Sequence, residues 1–556
     1  MTTFSSSFKF PAKPKTALYL ITATGLTFYT ANRLNFIPFS SHDDIRAPFH
    51  AVARSSRAIS AIALTVADYK YSLRSLPENS DKYGHTLSEI HLRSAKRMLK
   101  LCEANKGFYV KAGQFVAAMR QVPTEYSSTL SSLQDQAVPC HFKAIKEVLI
   151  SNFGQDFTKI FLSFDERPIA AASIAQVHRA MLKDSQEVAV KVQYPGLEQQ
   201  MAIDTTTMSF LSKSVAWFFP NYRFDWLVSE FTKAISSELD FTQEARNSEI
   251  TAKNFKTKKM VKVPQIFWDL TTRHVLTMEF CRGHKSRCIF SCTVDPRLRT
   301  SRSSKSQVDD VELLKEMEIN PVMVAKALVE VFAEMIFVHG FVHGDPHPGN
   351  ILVSPEGSNG FSLVLLDHGI YKQLDEGFRQ DYCKLWKALI LQDSHQIEQL
   401  GERFNVGKYS MYFPVIFTGR TINSKSALGR GLSAEEKTIL KQDLKSLKME
   451  DISSFMESLP SDFLTILRTD GILRSVLSKL GAPQQVRLLT YAKYAVYGHS
   501  LKLNPECDSA MQIAFFRLKT SVNYLQLRLI LEVMELFSWV REVKQFLYSF
   551  CRKVWV

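Results

Sequence analysis

Hydrophobic and polar positions along the chain follow two different periods. From residue 46 to about Lys146 apolar residues recur every three or four positions, which predicts helices. Within that stretch "TLSE" predicts a helix start, with Thr86 and Glu89 as a capping box and Leu87, Ile90, Met98 and Cys102 following along one face. Further on, "FYVKAGQFVAAMR" sets Lys111 and Gln114 three apart on a helix, which taken alone reads as a polar edge facing solvent. The period then shortens. "RPIAAASIAQVHRAMLKDSQEVAVKVQ" predicts a strand, a small-residue loop, a second strand, a turn over Lys183–Ser185 and a β-branched strand over Glu187–Gln193. Helical spacing returns in "VMVAKALVEVFAEMIFVHG", where Val324, Leu328, Val331, Met335 and Val338 form a stripe. "FSLVLLDHG" predicts a buried strand ending at Asp367. In the last third Val522, Leu525, Leu529, Val533, Leu536, Val540 and Val543 share a helix face, expected to pack against the core or an added helix, with a membrane surface as the alternative.

Several polar residues interrupt these patterns in a way that asks for chemistry. Lys191 sits between Val190 and Val192 in a strand, and burying its ammonium alone would cost several kcal/mol, so it either reaches out to solvent or meets phosphate or carboxylate. The segment "SSELDFTQEARN" supplies Glu238, Asp240 and Glu244 as candidate partners, with Asp240 and Glu244 four apart on an expected helix face. "FVHGDPHPGN", residues 341–350, is too rich in turn formers for a helix or strand interior and reads as a rigid loop. A strand lysine, a helix glutamate, a loop Asp345 and Asn350, and a strand-end Asp367 are, in that order, the parts that phosphoryl transfer requires. Lys191 would neutralise phosphates, Asp345 would orient or deprotonate the attacking oxygen, and Asn350 with Asp367 would hold Mg2+.

Composition adds limits. The chain has 556 residues, 45% of them apolar, enough for more than one unit with a substantial core. Its formal net charge of +14 suits an anionic partner such as nucleotide or acidic lipid, and nothing resembles a nucleic-acid module. Eight cysteines without framework spacing point to a reducing compartment. From Met1 to His42 there is no acidic residue, while Lys9, Lys13, Lys15 and Arg33 stand among Ser and Thr, so residues 1–45 read as an organelle-targeting segment. The apolar run Ala17–Ala31 is short for a membrane span and could serve as a weak anchor.

From about Leu92 to Trp386 the chain resembles the UbiB-type, or aarF-domain-containing, atypical kinases. The resemblance rests on "KAGQ", "IAAASIAQVH", "VAVKVQYPG", "ELDF" with the following "EA", "HGDPHPGN" and "LLDHG", and is nearest to the family's first, mitochondrial subgroup. It implies an α+β, bilobal protein-kinase-like fold: a helical extension over 46–147, an N-lobe over 148–280, a C-lobe core over 308–430 and a helical region over 431–556. It further implies ATP and Mg2+ as cofactors. Lys191 would pair with Glu244, and Ala170, Ala171, Ala172 and Ser173 would replace the glycine-rich phosphate cover. Glu279 and Phe280 would lie at the adenine-contacting hinge, Asp345 would be catalytic, and Asn350 and Asp367 would bind metal. Glu238 and Asp240 would meet Lys111 and Gln114 as a regulatory element lying where an ordinary kinase admits a peptide. Gly344 before Asp345, with His347 where most kinases carry lysine, is shared with small-molecule kinases and implies a metabolite or lipid acceptor. The activity implied is an atypical kinase or ATPase supporting mitochondrial lipid and quinone homeostasis, with a plastid as the alternative destination. A small-molecule or lipid phosphotransferase and a nucleotide-binding scaffold with little catalysis are the alternatives. Residues 281–307, "CRGHKSRCIFSCTVDPRLRTSRSSKSQ", fit no part of the family pattern and read as a basic, serine-rich disordered insertion. Its Cys281, His284, Cys288 and Cys292 have no ordinary zinc spacing and stand among Arg282, Lys285 and Arg287.

Overall fold

The computed structural model describes residues 46–554 apart from 78–79, 118–121, 135–138, 155–158, 221–224, 282–307, 357–359, 441–448, 500–509 and scattered positions between 423 and 434. The expected targeting segment and nearly all of the expected insertion therefore lie outside the described residues.

Helices α1 (Arg46–Leu73), α2 (Asp81–Asn105), α3 (Phe108–Ala117) and α4 (Thr124–Leu130) open the chain. The start of α2 differs from the expectation. Ser80 is its N-cap, accepting from the Tyr83 N–H at 3.1 Å, so Thr86 lies inside the helix and the capping-box reading of "TLSE" is corrected. Ile90, Ser94, Ala95, Leu101 and Cys102 form its buried stripe.

Next come α5 (Phe142–Phe153) and an antiparallel sheet of β1 (Phe161–Phe164), β2 (Ala170–Ala171), β3 (Ala175–Leu182) and β4 (Glu187–Gln193), closed by the later β6 (Val275–Glu279). The side-chain alternation of β4 divides its burial between two cores. Val188, Val190 and Val192 pack beneath Ile145 and Leu149 of α5. Ala189 joins Phe108, Tyr109 and Phe115 of α3 on the other face. Lys191 shares that second face, so its ammonium is directed toward the helical extension rather than into the valine core. Between β4 and β6 lie α6 (Leu197–Phe218), α7 (Asp225–Glu238), α8 (Phe241–Asn254) and the short β5 (Val261–Lys262). Asp240 is the N-cap of α8, accepting from the Thr242 N–H at 2.9 Å, so it stands before the helix and shares no face with Glu244.

The second lobe is built on α9 (Val311–Glu316) and α10 (Pro321–Ala333), the latter capped by Asn320 with proline at its first position. Its stripe Val324, Leu328, Val331 and Met335 is fully buried, and Val338 is half-buried. The helix widens into a π turn over Glu334–His339 and stops at Gly340, whose φ of 64° is left-handed. There follow β7 (Phe341–His343), β8 (Ile351–Glu356), β9 (Gly360–Leu365) and β10 (Tyr371–Gln373), with β7 paired to β10 and β9 set between β5 and β8. Asp367 lies two residues beyond β9.

Helices α11 (Glu376–Leu391), α12 (Ser394–Arg403), α13 (Met449–Ser458), α14 (Ser461–Lys479) and α15 (Gln484–His499) enclose the largest core. Phe463 and Ile466 of α14 and Leu488 and Tyr491 of α15 are buried in the same cluster as Leu328 and Trp386, so the helical region after 430 is continuous with the C-lobe. The last helix, α16 (Ala510–Val554), runs for 45 residues. Leu527 and Thr520 bury its inner face, while Val522, Leu525, Leu529, Val533, Leu536, Val540 and Val543 are exposed. The expectation that this stripe packs on the core is thereby corrected. The whole is an α+β fold of two lobes, a sheet lobe wrapped by the helical extension and a helical lobe.

Candidate functional site

Lys191 is held from both lobes. Its Nζ lies 2.7 and 3.0 Å from the two carboxylate oxygens of Glu244 and 2.9 Å from Asp367 Oδ2. β4 places the lysine opposite Val177 on β3 and Leu276 on β6, and α8 brings Glu244 in the turn after its Asp240 cap. Asp367 is fixed by the Gly369 N–H, which donates to Oδ1 at 3.0 Å, and Phe241 puts its ring 5.1 Å below the ammonium. Burial disfavours the Lys191 charge, but the carboxylates of Asp367 and Glu244 outweigh it and hold its pKa above the ordinary lysine value. Burial likewise opposes the Asp367 charge, yet Lys191 and Lys111 hold that carboxyl well below its usual range. Glu244 shows the reverse balance: burial pushes it up to about 7 against the pull of Lys191, with Asp367 adding repulsion.

A second pair lies alongside. Lys111 of α3 reaches Glu238 at 2.9 Å, and both side chains are largely buried, so Lys111 is no solvated edge. Burial opposes the Lys111 charge, and Glu238, Asp345 and Asp367 together more than restore it. α3 can approach this closely because of Gly113. A Cβ there would overlap Leu133 Cδ1 and sit 3.2 Å from Cys102 Sγ. The other two residues of the expected regulatory set do not join the pair. Gln114 donates to the Leu133 carbonyl at 3.0 Å, and Asp240 is engaged by Thr242. Their side chains complete local caps and turns, which leaves Lys111–Glu238 as the contact between α3 and the site.

The catalytic-loop candidates gather on β7 and the turn after it. Asp345 donates its N–H to His343 Nδ1 at 3.1 Å, and Asn350 Nδ2 donates to the Asp345 carbonyl at 3.3 Å. His347 accepts from the Gly349 N–H at 3.1 Å, so its ring braces the loop. Gly344 is required sterically, since a Cβ would lie 2.9 Å from Ile370 Cγ2. His343 stacks on Tyr371 at 4.9 Å and Tyr371 on His368 at 5.6 Å. His368 donates to the Leu365 carbonyl at 3.2 Å and pairs with the Tyr371 hydroxyl at 3.0 Å, and burial pushes its pKa down to about 3. It is thus a neutral structural ring behind Asp367. Sequence reading passed over Arg468. From α14 its guanidinium comes within 3.9 Å of Asp345 Oδ1 and lies 4.7 Å from the Phe115 ring of α3. No local pattern marked it, because its partners are brought to it only by the packing of α14 against the two lobes.

The nucleotide-facing candidates occupy the sheet end. Ala170 and Ala171 form β2, with Ala170 opposite Val177, which is itself opposite Lys191. The Ala172 N–H donates to the Ala175 carbonyl at 2.7 Å, closing a tight turn. Glu279 ends β6, its carboxylate accepting from the Gln265 N–H at 3.2 Å, and the Phe280 N–H donates to the Glu187 carbonyl at 3.2 Å.

The residues fit a magnesium nucleotide. The Ser173 hydroxyl, within the alanine turn, is buried without a hydrogen-bond partner, a donor suited to phosphate oxygen. Lys111, Lys191 and Arg468 face Glu238, Glu244, Asp345 and Asp367, three cations against four carboxylates, which leaves a negative excess for a divalent ion. Among the described residues no group of three His, Cys, Asp or Glu is arranged to hold a metal alone. One carboxylate and one amide oxygen are what Mg2+ takes from protein when substrate phosphates complete its shell.

The profile of the ABC1 atypical kinase-like domain matches residues 132–401. AarF domain-containing protein kinase 1 of Xenopus tropicalis is 34% identical over 509 residues, covering 90% of this chain and 93% of that one. The mouse protein of the same name is 37% identical over 465 residues, covering 83% and 82%. A solved chain, Rv3197 of Mycobacterium tuberculosis in complex with erythromycin, is 21% identical, with a TM-score of 0.44, covering 74% of this chain and 100% of that one. With its two-lobed kinase-like fold, this chain belongs to the ABC1, or AarF-domain, atypical kinase family.

Proposed function

We propose that the protein binds ATP with Mg2+ between its lobes and acts as an atypical kinase or ATPase toward a small-molecule or lipid acceptor, in support of mitochondrial lipid and quinone homeostasis. The observation that carries this reading is the buried bridge of Lys191 to both Glu244 and Asp367, which ties the sheet lobe to the strand-end carboxylate. Lys191 would bind phosphate oxygens while Glu244 holds it in place. Asn350 and Asp367 would hold the metal, which supplies charge neutralisation to the phosphates when bound. Ser173 and the turn over Ala170–Ala172 would lie against the phosphates, and Glu279 and Phe280 beside adenine. Asp345, steadied through its backbone by His343 and Asn350, would orient the acceptor oxygen. The Lys111–Glu238 contact favours a small acceptor, because it sets α3 over the ground where a peptide would lie.

The test is Mg2+-dependent nucleotide binding and ADP release by wild type, Asp367→Asn and a form lacking residues 282–307. Wild type is expected to bind and turn over, and Asp367→Asn to lose ~100-fold or more of the turnover, as when a principal electrostatic group is removed. No magnesium-dependent affinity in the intact or the trimmed protein would refute the reading. Tight binding without turnover in both would favour the nucleotide-binding scaffold, for which Arg468 beside Asp345 argues. Product analysis with candidate lipids identifies the acceptor, and a reporter fused to residues 1–45 distinguishes mitochondrion from plastid.

A further inference from the structure

The longest run of exposed apolar side chains among the described residues lies on α16. Leu525, Leu529, Val533, Leu536, Val540 and Val543 are all exposed, Leu529 at 66% and Leu536 at 58%. From the first to the last the chain advances in steps that average ~3.6 residues, the repeat of an undistorted α-helix. Such a stripe runs parallel to the helix axis, here for ~27 Å. A coiled-coil seam repeats every ~3.5 residues and winds around its partner, which this one does not. Ile530, Phe537 and Trp539, also exposed, widen the apolar arc to about half the helix circumference, beyond the narrow seam that a single partner helix covers.

The two other sectors of the helix are accounted for differently. The opposite side attaches α16 to the body, through buried Thr520 and Leu527 and through Tyr524, whose ring lies 6.1 Å from that of Tyr497 on α15. The borders of the stripe are basic: at ~100° per residue, Lys519 and Lys544 flank one edge and Arg528 the other. Over its length α16 has seven Lys and Arg against three Glu. A broad, straight, aromatic-bearing apolar face bordered by cations is the chemistry that recognises the headgroup region of an anionic bilayer.

We infer that α16 is an interfacial helix that seats the protein on an anionic lipid surface, with the stripe among the upper acyl chains and the bordering cations at the lipid phosphates. None of the described helices is long and apolar enough to cross a membrane, so α16 lies in the plane of the interface. The inference stands on α16 alone and does not depend on the nucleotide site.

Flotation of the full-length protein with phosphatidylcholine vesicles, with and without about 30 mol% phosphatidylglycerol, tests it. Wild type is expected to float with the anionic vesicles and to bind neutral ones at least ~10-fold more weakly. Leu529→Asp with Leu536→Asp, both at exposed positions, is expected to lose ~10-fold or more of the binding with an unchanged thermal transition. Lys519→Glu with Arg528→Glu, an independent variant, should weaken binding to anionic vesicles and leave the neutral baseline unaltered. Blue-shifted emission on binding, diminished in Trp539→Phe, would place the aromatic rim in the interface. The inference is overturned by absence of flotation, by equal flotation of wild type and the aspartate variant, or by vesicle-free self-association that the aspartate variant abolishes, which would give the face to a second copy of the chain.

Discussion

Glu244 bears the strain of the site's acid surplus. Its carboxyl, normally near 4.5, is pushed up to about 7 by burial that Lys191 only partly offsets, so the fold favours its protonated form. The sign follows from linkage: this contribution to stability is complete below about 4.5 and is lost as pH rises through about 7. Glu244→Gln removes that titration. The variant's stability relative to wild type is therefore expected to rise by up to about 3 kcal/mol across that window, at about 1.4 kcal/mol per pKa unit. Denaturant midpoints of both proteins at the two ends of the window check this, and a constant difference between them would refute it. Residue by residue, the sequence showed the parts and not all of the pairings. Lys191 was conspicuous because a lysine between valines demands an anion, but spacing left Glu238, Asp240 and Glu244 open as its partner. The structure chose by cap and helix phase: Asp240 stops to cap α8 while Glu244 rides the first turn into the cleft. Arg468 could not be read at all, since nothing local distinguishes it from any other helix arginine.

At the level of elements, α3 depends on a missing methyl. Gly113 allows α3 to lie on Leu133 and Cys102, and Lys111 reaches Glu238 from that seat. Gly113→Ala is expected to destabilise the protein by about 1–3 kcal/mol through overpacking, and Leu133→Ala in the same chain should recover part of the loss. Chemical denaturation of the single and double variants measures both, and additive losses would show that Leu133 is not the obstacle. Elements with a strong repeat were legible: β4 begins and ends where its alternation does, and the buried stripe of α10 follows its spacing. Boundaries set by a single cap were less so. Two plausible cap signals precede the Ile90 stripe, and the serine six residues earlier wins because α2 continues back to the end of its hairpin with α1. For α16 the sequence revealed amphipathicity but not which medium meets the apolar side, since periodicity says that a face is apolar and not what covers it.

The molecule as a whole is stabilised by its last helices. Phe463, Ile466, Leu473, Leu488 and Tyr491 from α14 and α15 are buried among the residues that support β7 and β8, so the region after 430 is an integral part of the C-lobe core. A chain ending at residue 459 is expected to lose cooperative unfolding altogether, given that deleting one buried large side chain costs about 2–5 kcal/mol and several are removed. Calorimetry of the truncated and full chains decides, and a preserved sharp transition would show the lobe to be complete without them. The two-lobed architecture was legible because the change of period, from helical to alternating and back, coincides with the lobes. The unity of the second lobe was not, because apolar stripes do not name their partners. The wide π turn over Glu334–His339 has its own consequence for how this chain can vary. A turn of that kind absorbs one surplus residue. Removing any single position there would restore the ordinary helical pitch and rotate everything downstream by ~100°. Exposed loops can lengthen or shorten freely, whereas the spacing from α10 to Asp345 is locked to the residue, and a one-codon deletion there would misdirect the reactive carboxylate while leaving the hydrophobic count of the chain almost untouched.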